Sequence, residues 1–428
     1  MRNAGTVSHT LLQRLAAARV ESDRLFQLVH PASLYDRPIP ERHRIIFYLG
    51  HLEAFDWNLL QPQMAGLKTF DASLDRLFAF GIDPVDGGLP SDGPGDWPSQ
   101  PQVEDYVRRA RAGLDSRLNG DVDSQLMNVA IEHRLMHVET LAYMLHQLPV
   151  GRKAPQAQPR LSSAGASGSR MVEIPAGRAT LGISNSEGSF GWDNEFETRV
   201  VEVSAFAIDR YKITNGEYLE FLRSGGYGDR GLWSEADWNW KERQGIVHPV
   251  FWRRDSGGWL YRGMFEEIPL PLDWPVYVSR AEAAAYAAWA GKRLPTEAEW
   301  HRAAYGTFDG PERSFPWGDE APHSDHGYFG LRRWDPSPVN AFPRGQSAFG
   351  VEGMLANGWE WTSSVFEPFP GFAPFPFYEG YSSNFFDGLH YVMKGGSART
   401  ESSMLRRSFR NWFQAHYQYV YAGFRCAK

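Results

Sequence analysis

The sequence predicts an α+β protein in two parts: a four-helix bundle over residues 1–149, then a loop-rich mixed domain over 171–428, joined by a linker at 150–170. Three observations predict it. Apolar residues recur at helical spacing through the first third and stop doing so near 150. Residues 150–170 are Gly, Ala, Ser, Pro and polar side chains with almost nothing to anchor a core. Beyond 171, short strand-like runs and capped helices stand among Gly, Pro and crowded aromatics. At 428 residues the chain is long enough for two domains, each with a full core.

The first helix is carried by Leu11, Leu12, Leu15, Val20, Leu25 and Leu28, and the second by Ile45, Ile46, Leu49, Leu52, Phe55 and Leu59. Val103, Tyr106, Val107, Ala110 and Leu114 give a third, and Leu126 to Leu145 a fourth. The Gly-, Pro- and Asp-rich stretch from Phe78 to Gln102 is too long for an idle connection and reads as an ordered functional loop or a mobile lid. In the second part, Met171–Gly177 and Val200–Asp209 read as short strands. Helices follow at Thr214–Leu222 and Ser279–Ala290, with Thr214 and Ser279 as N-caps. After Gly306 strands are expected only near Tyr391 and Ala422, and no internal repeat is present.

A net charge of −7 and the absence of any Lys/Arg run argue against nucleic acid or a membrane surface as partner. No apolar run reaches the roughly 18 residues of a membrane span, and the first residues lack the apolar core of a signal peptide, so a cytoplasmic protein is expected. The single cysteine, Cys426, leaves no internal disulfide and no Cys-rich metal site.

Histidine spacing points to a metal. His133 and His137, in EHRLMHVE, lie four apart on the fourth helix and so share a face; His51, in GHLEAFDW, approaches from the second. A site of three neutral nitrogens keeps open coordination positions and suits chemistry on a bound substrate or on O2. The His-x3-His spacing by itself also occurs by chance in helices. His43, His146, His390 and His416 read as surface or packing residues.

Further along, GKRLPTEAEW (291–300), FPWGD (315–319), NGWEWT (357–362), KGGS (394–397) and GFRC (423–426) resemble, in family order, the signature segments of the formylglycine-generating-enzyme (sulfatase-modifying factor) fold, a C-type-lectin-like domain. The two histidine-bearing helices resemble the DinB-type bundle that precedes this fold in the ergothioneine and ovothiol sulfoxide synthases. The resemblance implies a non-heme Fe(II) enzyme with O2 as co-substrate, its iron on His51, His133 and His137. It implies attachment of sulfur or selenium to the imidazole ring of histidine or of its betaine, hercynine. Glu139 is then read as orienting a ligand imidazole. By the same resemblance Asn411, Trp412 and Phe413 line the betaine site, with aromatic faces for a trimethylammonium group, and Tyr381 supplies a proton.

Departures from the pattern refine this. Formylglycine generation needs a cysteine pair, which a chain with only Cys426 lacks. Relatives that take γ-glutamylcysteine resemble one another in carrying arginines in the loop after the second helix and, in one subgroup, an Asp after Asn-Trp. Here Leu77–Tyr106 has no Arg or Lys but holds Asp83, Asp86, Asp92 and Asp96, and the Asp position is Phe413. A dianionic peptide would lose water without gaining a bidentate partner. The segment Arg37–His51 looks like the selenoneine synthase branch, so a neutral selenosugar is favoured as donor, giving a C–Se bond. The alternative is C–S bond formation with cysteine or a related thiol. A different class remains in view, a DinB-type zinc thiol transferase or a non-catalytic binding module.

Overall fold

A computed structural model describes residues 4–82, 88–118, 123–156, 171–308 and 310–428. The chain divides into two compact units, Met1–Gln156 and Ala157–Lys428. Unit one is helical: α1 (Ala4–Leu28), α2 (Ile45–Leu60), α3 (Ala72–Phe80), α4 (Gln100–Asp115) and α5 (Ser124–Gln147). Helix α2 packs against α3, α4 and α5, and α1 against α5. Most of α2 is buried, which is why its sequence is apolar nearly all round rather than in one stripe. The starts follow capping chemistry. Asp71 accepts from the amides of Ser73 and Leu74, Asp123 from those of Gln125 and Leu126, and Ser99 and Gln102 close a box ahead of α4.

Charges are buried between α2 and α5. Arg134 meets Glu53 at 2.9 Å and Asp56 at 2.6 Å, and Arg111 of α4 reaches Glu53 at 2.7 Å. Burial pushes Glu53 up, but Arg134 and Arg111 outweigh it and hold its carboxyl below the usual range; Asp56, with Arg134 as its main partner, stays raised by burial.

In unit one, two features differ from the sequence reading. Helix α3 lies where only a connection before the long loop is expected. The segment assigned to a linker from residue 150 starts as a 3-10 turn, Val150–Arg152, after which Lys153 is buried with its ammonium on the Leu145 carbonyl, and the Ala154 amide bonds to Leu28. Residues 157–170 lie outside the described residues.

Unit two begins with β1 (Met171–Ile174), β2 (Gly177–Leu181), β3 (Arg199–Val203) and β4 (Phe206–Asp209), paired β1 with β4 and β2 with β3. Next come α6 (Asn215–Arg223), α7 (Glu235–Gln244), the meander β5 (Trp252–Asp255), β6 (Gly258–Arg262) and β7 (Glu267–Pro269), then α8 (Arg280–Trp289) and α9 (Glu297–Tyr305). The expected caps Thr214 and Ser279 head α6 and α8. The last part builds a four-stranded sheet from β8 (Gly358–Val365), β9 (His390–Gly396), β10 (Asn411–Gln414) and β11 (Ala422–Gly423), in the order β10-β9-β8-β11, with the short α10 (Gly380–Ser383) between β8 and β9.

The motif residues explain themselves here. Thr296 and Glu299 form the capping box of α9, and Trp300 sits fully buried in the core. Gly358 has φ 108°, and a Cβ on it would stand 2.6 Å from the Tyr277 ring, so NGW requires its glycine. Arg425 of GFRC pairs with Glu360 of NGWEWT at 2.6 Å, both fully buried, which ties the C-terminus to the sheet.

Candidate metal centre

His51 comes from α2 and His133 and His137 from one face of α5; their ligand nitrogens lie within 4.8 Å of one another. The Nε2 atoms of His51 and His137 are 3.3 Å apart. Two nitrogens held at about 2.1 Å by one ion stand roughly 3.0–3.4 Å apart, so this spacing suits a shared ion, as it also suits a hydrogen bond between the two rings. His51 Nδ1 donates to the Phe78 carbonyl at 2.6 Å, which leaves the Nε2 lone pair facing the centre. Each ring is flanked by an aromatic: Phe47 stacks on His51 at 4.7 Å, Phe55 on His133 at 3.4 Å, and Tyr48 lies 5.8 Å from His137.

Burial sets the electrostatics. It lowers His51 to about 4, against the opposing pull of the Phe78 carbonyl. His133 and His137 fall well below the ordinary imidazole value, first by burial and then by the neighbouring imidazoles. Three neutral imidazoles with converging nitrogens fit a divalent transition metal, because a ligand must offer a lone pair and not a proton. Glu139 is buried on α5 but does not reach Nδ1 of His137, which has no hydrogen-bond partner among the described residues. The group that orients an imidazole here is a main-chain carbonyl on α3.

In unit two, Tyr381 on α10 stacks on Trp192 at 3.9 Å and meets the Trp412 ring edge-on at 5.4 Å; Trp412 lies flat on Phe366 at 4.1 Å. Strand β10 turns successive side chains to opposite faces, so Asn411 and Phe413 point away from Trp412. Asn411 accepts from the Trp412 amide at 2.9 Å, and Phe413 stacks on Tyr417 at 4.8 Å. The structure therefore brings Tyr381 and Trp412 together and directs Phe413 elsewhere. Sequence reasoning missed Tyr378, pushed up to about 12 by burial and then by Asp193, and Asp193 itself, raised by burial although the Ser382 hydroxyl donates to it. The Tyr-x-x-Tyr spacing before Ser382 was the signal for Tyr378; nothing in the sequence marked Trp192.

One charge expectation changes. The side chain of Asp92 is fully buried, bound by Arg37, by Arg44 at 2.9 Å and by the Trp97 indole at 2.7 Å; Asp96 caps the Gly93 amide at 2.6 Å. These aspartates fasten the loop instead of lining a site, and Asp83 and Asp86 lie outside the described residues. The C-terminal arginines are likewise committed, Arg406 to Glu195 at 2.8 Å, Arg407 to Glu312 at 3.3 Å and Arg410 to Glu297 at 3.0 Å.

Comparison with known proteins agrees with this architecture. Residues 157–428 match the family described as sulfatase-modifying factor enzyme 1-like domain. The hercynine oxygenase of Mycobacterium tuberculosis is 40% identical over 324 residues, 75% of either chain. Ergothioneine biosynthesis protein 1 of Neurospora crassa is 29% identical over 495 residues, covering 94% of this chain and 56% of that one. The inactive C-alpha-formylglycine-generating enzyme 2 of Mus musculus is 34% identical over 240 residues, 49% of this chain and 73% of that one.

Proposed function

Since this chain belongs to the sulfatase-modifying factor enzyme 1-like family, within the oxygen-dependent superfamily of the hercynine oxygenases, we propose that it is a non-heme Fe(II) synthase that joins a chalcogen to C2 of the hercynine imidazole. The observation that carries the reading is the convergence of three neutral imidazoles, His51 and His133 buried and His137 half-buried, in a chain of this family. His51, His133 and His137 hold the iron. An Fe(II) ion held by these three imidazoles would supply open coordination positions for O2 and the substrates. In unit two, Trp412 offers an aromatic face to the trimethylammonium group, and the Tyr381 hydroxyl is the proton donor.

For the donor we propose a neutral selenosugar, hence a C–Se bond. Support comes from the arginines: Arg37 and Arg44 share Asp92, Arg406 and Arg410 bind the buried Glu195 and Glu297, and Arg407 binds the half-buried Glu312, so each already holds a protein carboxylate. The second reading, C–S bond formation with cysteine or a related thiol, is favoured by the names that the relatives carry. One experiment separates them. Protein purified anaerobically is analysed for metal, then incubated with hercynine, O2 and a panel of cysteine, γ-glutamylcysteine and a selenosugar, with products read by mass spectrometry. A selenium adduct formed fastest, with stoichiometric iron, is the expected result; a preferred thiol adduct replaces the donor, and zinc without O2 uptake overturns the oxidative reading.

A further inference from the structure

Resting on the reading of His51, His133 and His137 as metal ligands, we infer that the close contact between Gly50 and Phe78 is the device that sets which nitrogen of His51 faces the metal. Gly50 precedes His51 in the interior of α2, where helix propensity alone favours alanine. A Cβ on Gly50 would stand 2.5 Å from Cδ1, Cε1 and Cζ of the Phe78 ring. The missing side chain thus lets α3 settle directly on α2. Retreat is blocked, because the Phe78 ring is fully buried and backed by Tyr106, 5.5 Å away, which is itself tied to Asp75 of α3 at 2.8 Å.

That approach delivers one atom to the metal centre, the Phe78 carbonyl oxygen. It lies in the last turn of α3, where Gly81, at φ 72°, ends the helix and bonds back to Leu77. Carbonyls of a last turn lack helical donors and carry the negative end of the helix dipole. His51 Nδ1 supplies the missing donor at 2.6 Å. The proton is thereby held on Nδ1, and Nε2 is left bare, 3.3 Å from Nε2 of His137. Were the tautomer reversed, Nε2–H would point at the centre and His51 could not bind a metal without turning over. Phe78 and Gly50 are positioning residues: neither touches the metal, and both act through His51.

The test uses the full chain in metal-free and Fe(II)-loaded forms. Long-range 1H–15N correlation of histidine-labelled apoprotein, with His51 assigned by its loss in His51→Gln, reads the tautomer directly. Native His51 is expected as the pure Nδ1–H form, and finding the proton on Nε2 overturns the inference without any variant. Gly50→Ala is expected to mix the tautomers and to weaken Fe(II) binding about 10- to 100-fold, as loss of a ligand-orienting group does. Gly50→Ala/Phe78→Ala, which removes all three ring atoms that the new methyl would meet and keeps the main-chain carbonyl, should restore both. An unchanged tautomer in Gly50→Ala, or unchanged iron affinity where the native protein binds iron, overturns it. If the native protein takes up no iron, the metal reading fails, and the tautomer measurements alone decide the Gly50–Phe78 device.

Discussion

The proposed metal centre depends on His137, whose Nε2 lies 3.3 Å from that of His51 and whose ring lies 5.8 Å from Tyr48. His137→Ala should abolish iron retention and turnover with the thermal midpoint of the apoprotein little changed; full iron content by elemental analysis would remove it from the ligand set. The histidines were legible because spacing on a helix converts directly into a shared face. Phe78 was not, because what it contributes is a backbone carbonyl, which every residue type owns. A similar distinction applies at β10. Sequence grouped Asn411, Trp412 and Phe413, but alternation along a strand separates them, and only Trp412 joins Tyr381. Trp412→Ala should therefore raise the KM for hercynine about 5- to 30-fold, the equivalent of a desolvated cation–π contact of about 1–2 kcal/mol. Phe413→Ala, which disturbs the stack on Tyr417, should leave that constant within about 3-fold. Equal effects in steady-state kinetics would mean that both act by packing.

Between elements, the register of α2 against α5 decides whether His51 meets His137, and Arg134 is the pin. It lies beside His133 and binds Glu53 and Asp56, the two acids in the turns after His51, and the Leu52 carbonyl at 2.9 Å. Arg134→Met removes the cation that Asp56 binds and leaves Glu53 to Arg111 alone, and should cost about 3–5 kcal/mol in urea unfolding. The deficit has a pH signature. With Arg134 present, Glu53 is held below its unfolded value, so its contribution to stability is present above the ordinary carboxylate range and is lost as pH falls through the lowered value. Without Arg134, burial prevails and raises Glu53, and its penalty grows as pH rises through that range. The deficit of Arg134→Met should then be smaller at pH 5 than at pH 8; a pH-independent deficit would show that Glu53 is held by Arg111 alone. The long helices were readable because fifteen or more residues sustain a period. Helix α3 was not: nine residues, ending in the exposed Phe80, give too few turns to outvote the Gly- and Pro-rich stretch that follows. Strands β8 and β10 were hidden for a related reason, since β8 is buried along most of its length and shows no alternation.

At the scale of the whole chain, which carries a net charge of −7, Arg406, Arg407 and Arg410 each pair with a glutamate, and Arg37 and Arg44 share Asp92. Composition made the acidic excess visible, but only the fold reveals where each charge goes: Asp92, read from sequence as part of an acidic loop surface, is the buried anchor that consumes Arg37 and Arg44. A measurable consequence follows. Leu89 and Ser91 are exposed beside Asp92, outside the anchor itself. Leu89→Arg/Ser91→Arg adds two uncommitted guanidinium groups to this loop, and each new charge-assisted pair is worth about 1.5–3 kcal/mol, or roughly tenfold or more. Their kcat/KM for γ-glutamylcysteine should rise by at least about tenfold at low salt and less at high salt, with that for a neutral selenosugar unchanged. If the native protein already uses γ-glutamylcysteine with the highest kcat/KM of the panel, a cation other than these five arginines must serve its carboxylates, and the thiol reading takes the place of the selenosugar.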